Sequence, residues 1–148
     1  MKILFVCTGN TCRSPMAECM AKAMYPHCRF ASAGVMAMPG DAASDHAAAV
    51  MAERNLTLSA HKAQRVTAKL LKKFDLVLTM TTGHQSAVHA LQSKHTGKAP
   101  VVPLGEYAGE SVAYNVGDPF GGDLATYRAC ADEIQNLLQQ LHDKIQKA

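Results

Sequence analysis

The sequence predicts an α/β fold: a single three-layer domain with a central four-stranded parallel sheet and helices on both faces. Three observations lead there. Short apolar runs such as Ile3 to Cys7 and Phe74 to Thr79 read as strands buried on both sides. Stretches with helical spacing or helical propensity alternate with those runs. The first run gives way at Gly9-Asn10 to a loop followed by Ser14-Pro15, a passage from strand through loop to helix.

Lys2 to Cys7 forms the first strand. In the helix that follows, Ser14 suits the N-cap and Pro15 the first helical position, with Met16, Met20, Met24, Cys19 and Ala23 as the apolar face. Cys28 to Ala33 is a second strand ending at Gly34, and Ala-rich Ala42 to Arg54 is helical by propensity, with Asn55 as its stop. Val66 to Lys73 reads as a short helix, Phe74 to Thr79 as a strand, Thr82 to Gln92 as a helix and Val101 to Leu104 as a fourth strand. Beyond a loop at Gly117 to Gly122, the 3-4 spacing of Leu124, Tyr127, Ala131, Ile134, Leu138, Leu141 and Ile145 predicts one long amphipathic helix. With no repeat or linker, residues 1–148 are expected to form one domain.

Composition narrows the function. A chain of 148 residues that is 48% hydrophobic can bury a sizeable core. A formal charge of +3 is too slight for a dedicated nucleic-acid surface but suits a small anionic ligand. The apolar runs fall far short of the roughly 18 residues that cross a bilayer, and no signal-peptide pattern follows Lys2, so no membrane contact and a cytoplasmic setting are expected. Cys7, Cys12, Cys19, Cys28 and Cys130 are odd in number and scattered, which argues against a disulfide framework or a zinc knuckle. His84, His89 and His95 do not share a helical face, and no metal or cofactor is expected. Lys69, Lys72 and Lys73 read as a solvated face and Tyr127 as core.

Chemistry concentrates in Val6-Cys7-Thr8-Gly9-Asn10-Thr11-Cys12-Arg13-Ser14-Pro15. A bare cysteine and arginine flanking five residues is a weak signal, and the setting sharpens it. A loop curling from a strand end to a helix N-terminus turns successive backbone N–H groups inward and adds the positive end of the helix dipole. Together they form a phosphate-binding loop after the first strand. Gly9 allows the curl, and Asn10 tolerates positive φ and can pin the loop through its side chain. Cys7 at the base faces N–H dipoles, Arg13 and the Ser14 hydroxyl, which together favour thiolate over thiol and make it a nucleophile. Arg13 supplies a planar fork for phosphoryl oxygens. The acid for the leaving group belongs on another loop, where Pro119 and the flanking glycines project Asp118. Taken alone, Asp-Pro before a helix is an ordinary turn.

These residues resemble the low-molecular-weight protein tyrosine phosphatases along the whole chain, through Val6 to Pro15 and the later Asp118-Pro119. The resemblance implies that Cys7 attacks phosphorus and forms a phosphocysteine while Arg13 and the loop Thr8, Gly9, Asn10, Thr11 and Cys12 bind the phosphoryl group. Asp118 then serves as acid and afterwards as base toward water. It further implies that Ser14 stabilises the thiolate, Asn10 organises the loop and His61 supports it from behind, although by position His61 is equally a surface histidine. Cys12 resembles the family's second cysteine, which forms a reversible disulfide with the nucleophile; packing behind the loop is compatible with that role.

Two departures bear on the substrate. Thr11 stands where tyrosine-specific members commonly carry a bulky aliphatic residue, and Phe120-Gly121-Gly122 replaces an aromatic pair. Both features resemble the family's bacterial protein-arginine phosphatase branch. A threonine hydroxyl can accept a hydrogen bond from a guanidinium, so phosphoarginine on proteins is expected over phosphotyrosine, with inorganic phosphate as product. The pocket mouth is expected near Phe120 and around Val35 to Met38. An arsenate reductase needs a further cysteine pair that Thr82 to Leu91 lacks. A sugar-transport phosphocarrier has no need of Arg13 or Asp118, and a phosphoprotein-binding module without turnover could lose any of the three reactive groups.

Overall fold

The computed structural model describes residues 1–92 and 99–145. The elements run β1 (Lys2–Cys7), α1 (Arg13–Met24), β2 (Arg29–Gly34), α2 (Asp45–Glu53), α3 (Ala68–Leu71), β3 (Leu76–Thr79) and α4 (Thr82–Gln92). They continue with β4 (Val101–Pro103), α5 (Leu104–Tyr107), α6 (Leu124–Gln139) and α7 (His142–Ile145). The four strands pair in parallel in the order β2-β1-β3-β4. The chain leaves β1 for one neighbour and returns to β3 on the other side. This places a topological switch point at the carboxyl end of β1, where such sheets open a crevice for ligands.

Alternation along β1 builds the three layers. Ile3 and Phe5 face a core shared with α1, α2 and α6, while Leu4 and Val6 face a smaller one with α3 and α4. Phe5 stacks on Phe30 of β2 with ring centroids 5.8 Å apart. These β1 side chains are fully buried, which is why the strand reads as a continuous apolar run rather than an alternating one.

Several boundaries differ from the sequence expectation. The first helix begins at Arg13 with Cys12 as its N-cap and no side-chain cap, so Ser14 lies inside the first turn and Pro15 one residue further in. The reason is that the Ser14 hydroxyl turns inward to Cys7 and Asn10 rather than capping its own helix. Ala17 and Ala21 fill the buried face of α1 together with Met16 and Met20, whereas Ala23 is exposed and Cys19 and Met24 are half-buried. The second helix starts at Asp45 because Ser44 caps it by accepting from the Ala47 N–H. Asn55 does end that region, at φ 62°.

The short helix is confined to Ala68–Leu71, behind a Thr67 cap. The third strand starts at Leu76 and the fourth ends at Pro103, where α5, absent from the sequence reading, begins. The long last helix is interrupted after Gln139. There the Leu138 carbonyl accepts the Leu141 N–H at 3.1 Å, a tighter turn than the helix makes, and also accepts from the Tyr25 hydroxyl at 2.5 Å. Leu141 in the turn and Ile145 in α7 stay buried, so the apolar stripe is continuous even though the helix is not.

Gly34, at the end of β2, lies directly against the loop that follows β1. A Cβ there would sit 2.5 Å from the Thr8 carbonyl oxygen and 2.9 Å from the Asn10 nitrogen, both of them backbone atoms. Gly34→Ala is therefore expected to lower the free energy of urea unfolding by ~1–3 kcal/mol, as overpacking does, and to weaken binding of inorganic phosphate in a titration. Unchanged values for both would show that the loop yields freely at this point.

Candidate active site

The loop from Cys7 to Arg13 closes around Asn10. Asn10 is fully buried and stands at φ 57°, a left-handed conformation that asparagine tolerates better than most residues. Its side-chain oxygen accepts from the Gln64 N–H at 2.9 Å. A backbone N–H can only donate, so the amide orientation is fixed, and its Nδ2 donates to Ser14 Oγ and Ser32 Oγ, each at 2.9 Å. Ser32 in turn donates to Glu18 at 2.6 Å. From behind, His61 Nε2 lies 2.7 Å from the Asn10 carbonyl, which can only accept, so this ring nitrogen carries the proton.

Cys7 Sγ sits at the centre of the curl. It accepts from the Asn10 N–H at 3.3 Å and lies 2.9 Å from Ser14 Oγ. Because Ser14 Oγ already accepts from Asn10, its own hydrogen is free to point at the sulfur. Cys7 is a buried free thiol whose surroundings donate to it.

Arg13 is buried beside the curl and held at both ends of its fork. Nη1 donates to the Val116 carbonyl at 2.9 Å, and Nη2 lies 3.5 Å from Asp118 Oδ2 and 3.4 Å from Thr8 Oγ1. Asp118 is half-exposed, and its Oδ1 accepts from the Phe120 N–H at 3.1 Å, which braces the carboxylate against its own loop. A cleft of about 240 Å³ lies between the two loops, lined by Cys7, Thr8, Gly9, Thr11, Cys12, Arg13, Asp118 and Phe120. Phe120 is 78% exposed, so its ring is at the rim and unclaimed by the core.

The structure therefore brings together the sequence-predicted Cys7, Thr8, Gly9, Thr11, Cys12, Arg13, Asp118 and Phe120 at one cleft, with Asn10, Ser14 and His61 bonded behind it. Val35 to Met38 do not line the cleft. That segment holds the loop's outer side instead, with Val35 N–H donating to the Cys7 carbonyl and Met36 N–H to the Thr8 carbonyl. Among the described residues no group of three or more His, Cys, Asp or Glu could hold a metal ion, and no helix is long and apolar enough to cross a membrane. His95 lies outside the described residues.

Sequence reasoning missed four supports. Ser32, Glu18 and Gln64 complete the Asn10 network; the one available signal was Ser32, a polar residue inside an apolar strand. The fourth is His84, buried at the start of α4, with Nε2 2.9 Å from Thr8 Oγ1. Tyr127 is core as expected, yet its hydroxyl meets Cys12 Sγ at 3.2 Å, and burial together with that contact pushes the phenol up to about 12.

A thiol seated in an anion cradle at the end of a parallel strand, faced by an arginine and an opposing carboxyl, defines a cysteine-based protein phosphatase. A family model described as low molecular weight phosphotyrosine protein phosphatase matches residues 2–148. The chain belongs to that family. It is 38% identical to the protein-arginine-phosphatase of Bacillus subtilis, over 99% of this chain and 98% of the relative. It is also 38% identical to the low molecular weight protein-tyrosine-phosphatase PtpB of Staphylococcus aureus, over 98% and 99%. A solved YwlE arginine phosphatase, a cysteine-to-serine mutant with a phosphorylated active-site serine, superposes with a TM-score of 0.91 at 38% identity, covering 99% of this chain and 97% of that one.

Burial and the Arg13 guanidinium push His84 down from 6.5 to about 4. The native ring is then neutral where the unfolded ring binds a proton, so its contribution to stability is fully present above about 6.5 and is lost as pH falls toward 4. The difference in urea-unfolding free energy between the parent and His84→Asn is expected to fall as pH is lowered across that window. A constant difference would contradict a buried neutral ring.

Proposed function

We propose that this phosphatase hydrolyses phosphoarginine on proteins, with Cys7, Arg13 and Asp118 as its reacting groups. Cys7 Sγ attacks phosphorus in line while the bond to the guanidinium nitrogen breaks, and the Asp118 carboxyl gives its proton to that nitrogen as it leaves. The phosphoryl group rests on Cys7 as a phosphocysteine. Asp118, now a carboxylate, takes a proton from a water whose oxygen attacks phosphorus; the S–P bond breaks and inorganic phosphate departs. Arg13 and the N–H groups of Thr8 to Cys12 hold the charge of the phosphoryl oxygens in both steps. Ser14 and the Asn10 N–H steady the sulfur between attack and release. The YwlE structure, with a phosphorylated active-site serine in place of a cysteine, supports a covalent phosphoenzyme.

The observation that carries the substrate is Thr11. It lies in the cleft wall shared with Cys7 and Asp118, where its hydroxyl can accept an N–H from a guanidinium leaving group. The exposed Phe120 ring offers a flat face at the rim, on which a guanidinium plane can stack. Two relatives named protein-arginine-phosphatase support the same reading. Phosphotyrosine is the second reading, favoured by the family description and by the equally identical PtpB. We place the reaction in the cytoplasm, where reducing conditions keep Cys7 and Cys12 as thiols; Cys12 is then available to form a protective disulfide with Cys7 under oxidation.

The test is the ratio of kcat/KM for a phosphoarginine peptide to that for a matched phosphotyrosine peptide, with Cys7→Ser as the inactive control. The ratio is expected to be well above one and to shift roughly tenfold toward phosphotyrosine in Thr11→Ile. A parental ratio below one would assign the protein to phosphotyrosine, and an unshifted ratio would remove Thr11 from substrate choice.

A further inference from the structure

Among the described residues, His84 is the one buried ring at the site whose partners do not balance. Its Nε2 lies 2.9 Å from Thr8 Oγ1, yet its Nδ1 is buried and meets no polar group among the described residues. The turn that carries the ring is pinned. Thr81 Oγ1 accepts the His84 backbone N–H at 3.1 Å, and Thr79 Oγ1 donates to the Thr81 carbonyl at 2.8 Å. His84 is behind the cleft and does not line it, whereas Thr8 is exposed and does.

The tautomer follows from what each atom can do. Thr8 Oγ1 has one proton and two lone pairs, and Arg13 Nη2, 3.4 Å away, can only donate to it. Were Thr8 to donate to Nε2, the neutral ring would carry its proton on Nδ1, leaving a buried N–H with no acceptor. Such orphaned donors are the rarest of buried polar groups. With the proton on Nε2, His84 donates to Thr8, both Thr8 lone pairs are filled, and the hydroxyl proton has no protein acceptor. It is free to point into the cleft that Thr8 lines.

We propose that His84 is a positioning residue for phosphoryl transfer: by donating from Nε2 to Thr8 Oγ1, it turns the Thr8 hydroxyl into a donor to an oxygen of the bound phosphoryl group. Thr8 thereby joins Arg13 and the loop amides as an oxyanion donor, and Arg13 and His84 together fix its direction. The low proton affinity of the ring is consistent with this, since an imidazolium would need acceptors on both nitrogens. The inference rests on the cleft being a phosphoryl site and not on which amino acid carries the phosphate.

Two measurements decide it. Long-range proton–nitrogen NMR of the parent at pH 7 is expected to show a neutral His84 protonated on Nε2. An Nδ1–H tautomer or an imidazolium would overturn the proposal whatever the substrate. In kinetics, His84→Leu is expected to lower kcat/KM roughly tenfold on phosphoarginine and phosphotyrosine peptides alike, the size of one charge-assisted hydrogen bond. His84→Gln, whose amide N–H can replace the ring donor, should recover most of that loss. In a Thr8→Val background the His84→Leu loss should vanish, because the hydroxyl it positions is gone. An equal loss in both backgrounds would make His84 a merely structural support and overturn the proposal. Should His84→Leu fail to fold, the tautomer and the Gln variant still decide. A protein that turned over neither peptide would undo the phosphatase reading while leaving the tautomer result standing.

Discussion

Everything at this site depends on holding one asparagine in a conformation it would not choose in a free chain. Asn10 at φ 57° turns the loop so that its own N–H faces Cys7 Sγ, and the side chain that makes this turn tolerable also anchors it. The amide ties the loop to α1, β2 and the segment at Gln64, while His61 grips the carbonyl. Each bond contributes about 1 kcal/mol net, but leaving any of these buried groups without a partner costs more, so the network is strongly cooperative. Apart from cysteines and tyrosines, Asn10, Arg13, Ser14, Ser32, Thr79 and His84 are the buried polar side chains among the described residues. All but Thr79 bond within the loop's network, and Thr79 braces the turn that carries His84.

The fold supplies what the network needs. Parallel strands buried on both faces end together, and the switch from β2 to β3 opens the space beyond β1. Gly34 lets β2 approach the loop backbone more closely than any side chain would permit. The first turn of α1 carries Arg13 and Ser14 into the site rather than a capping side chain, so its N-terminal N–H groups and dipole remain directed at the cleft.

Much of this was legible in the sequence because it is local. Continuous apolar runs marked the strands, and Cys7 to Pro15 carried its own loop chemistry in adjacent residues. What was not legible joins distant segments: Gln64 to Asn10, His84 to Thr8, Tyr25 to Leu138. The last of these lies where a helix of unbroken apolar spacing tightens and ends, and spacing registers neither the tighter turn nor a hydrogen bond from elsewhere. Val35 to Met38 were expected around the mouth, but the Val35 and Met36 N–H groups are committed to the loop's outer side. Asp118 looked like an ordinary turn residue in isolation and acquires its meaning from Arg13, 3.5 Å away.

The central claim is that the Asn10 side chain, and not merely a left-handed backbone, holds the cradle around Cys7. The direct measurement compares kcat/KM of Asn10→Gly and Asn10→Ala with the parent on a phosphopeptide, with folding checked by circular dichroism. Glycine accepts positive φ freely but makes none of the side-chain bonds, so the account predicts that both variants lose more than about tenfold and that glycine does not rescue activity. A glycine variant as active as the parent would show that conformation alone suffices, and would contradict the account.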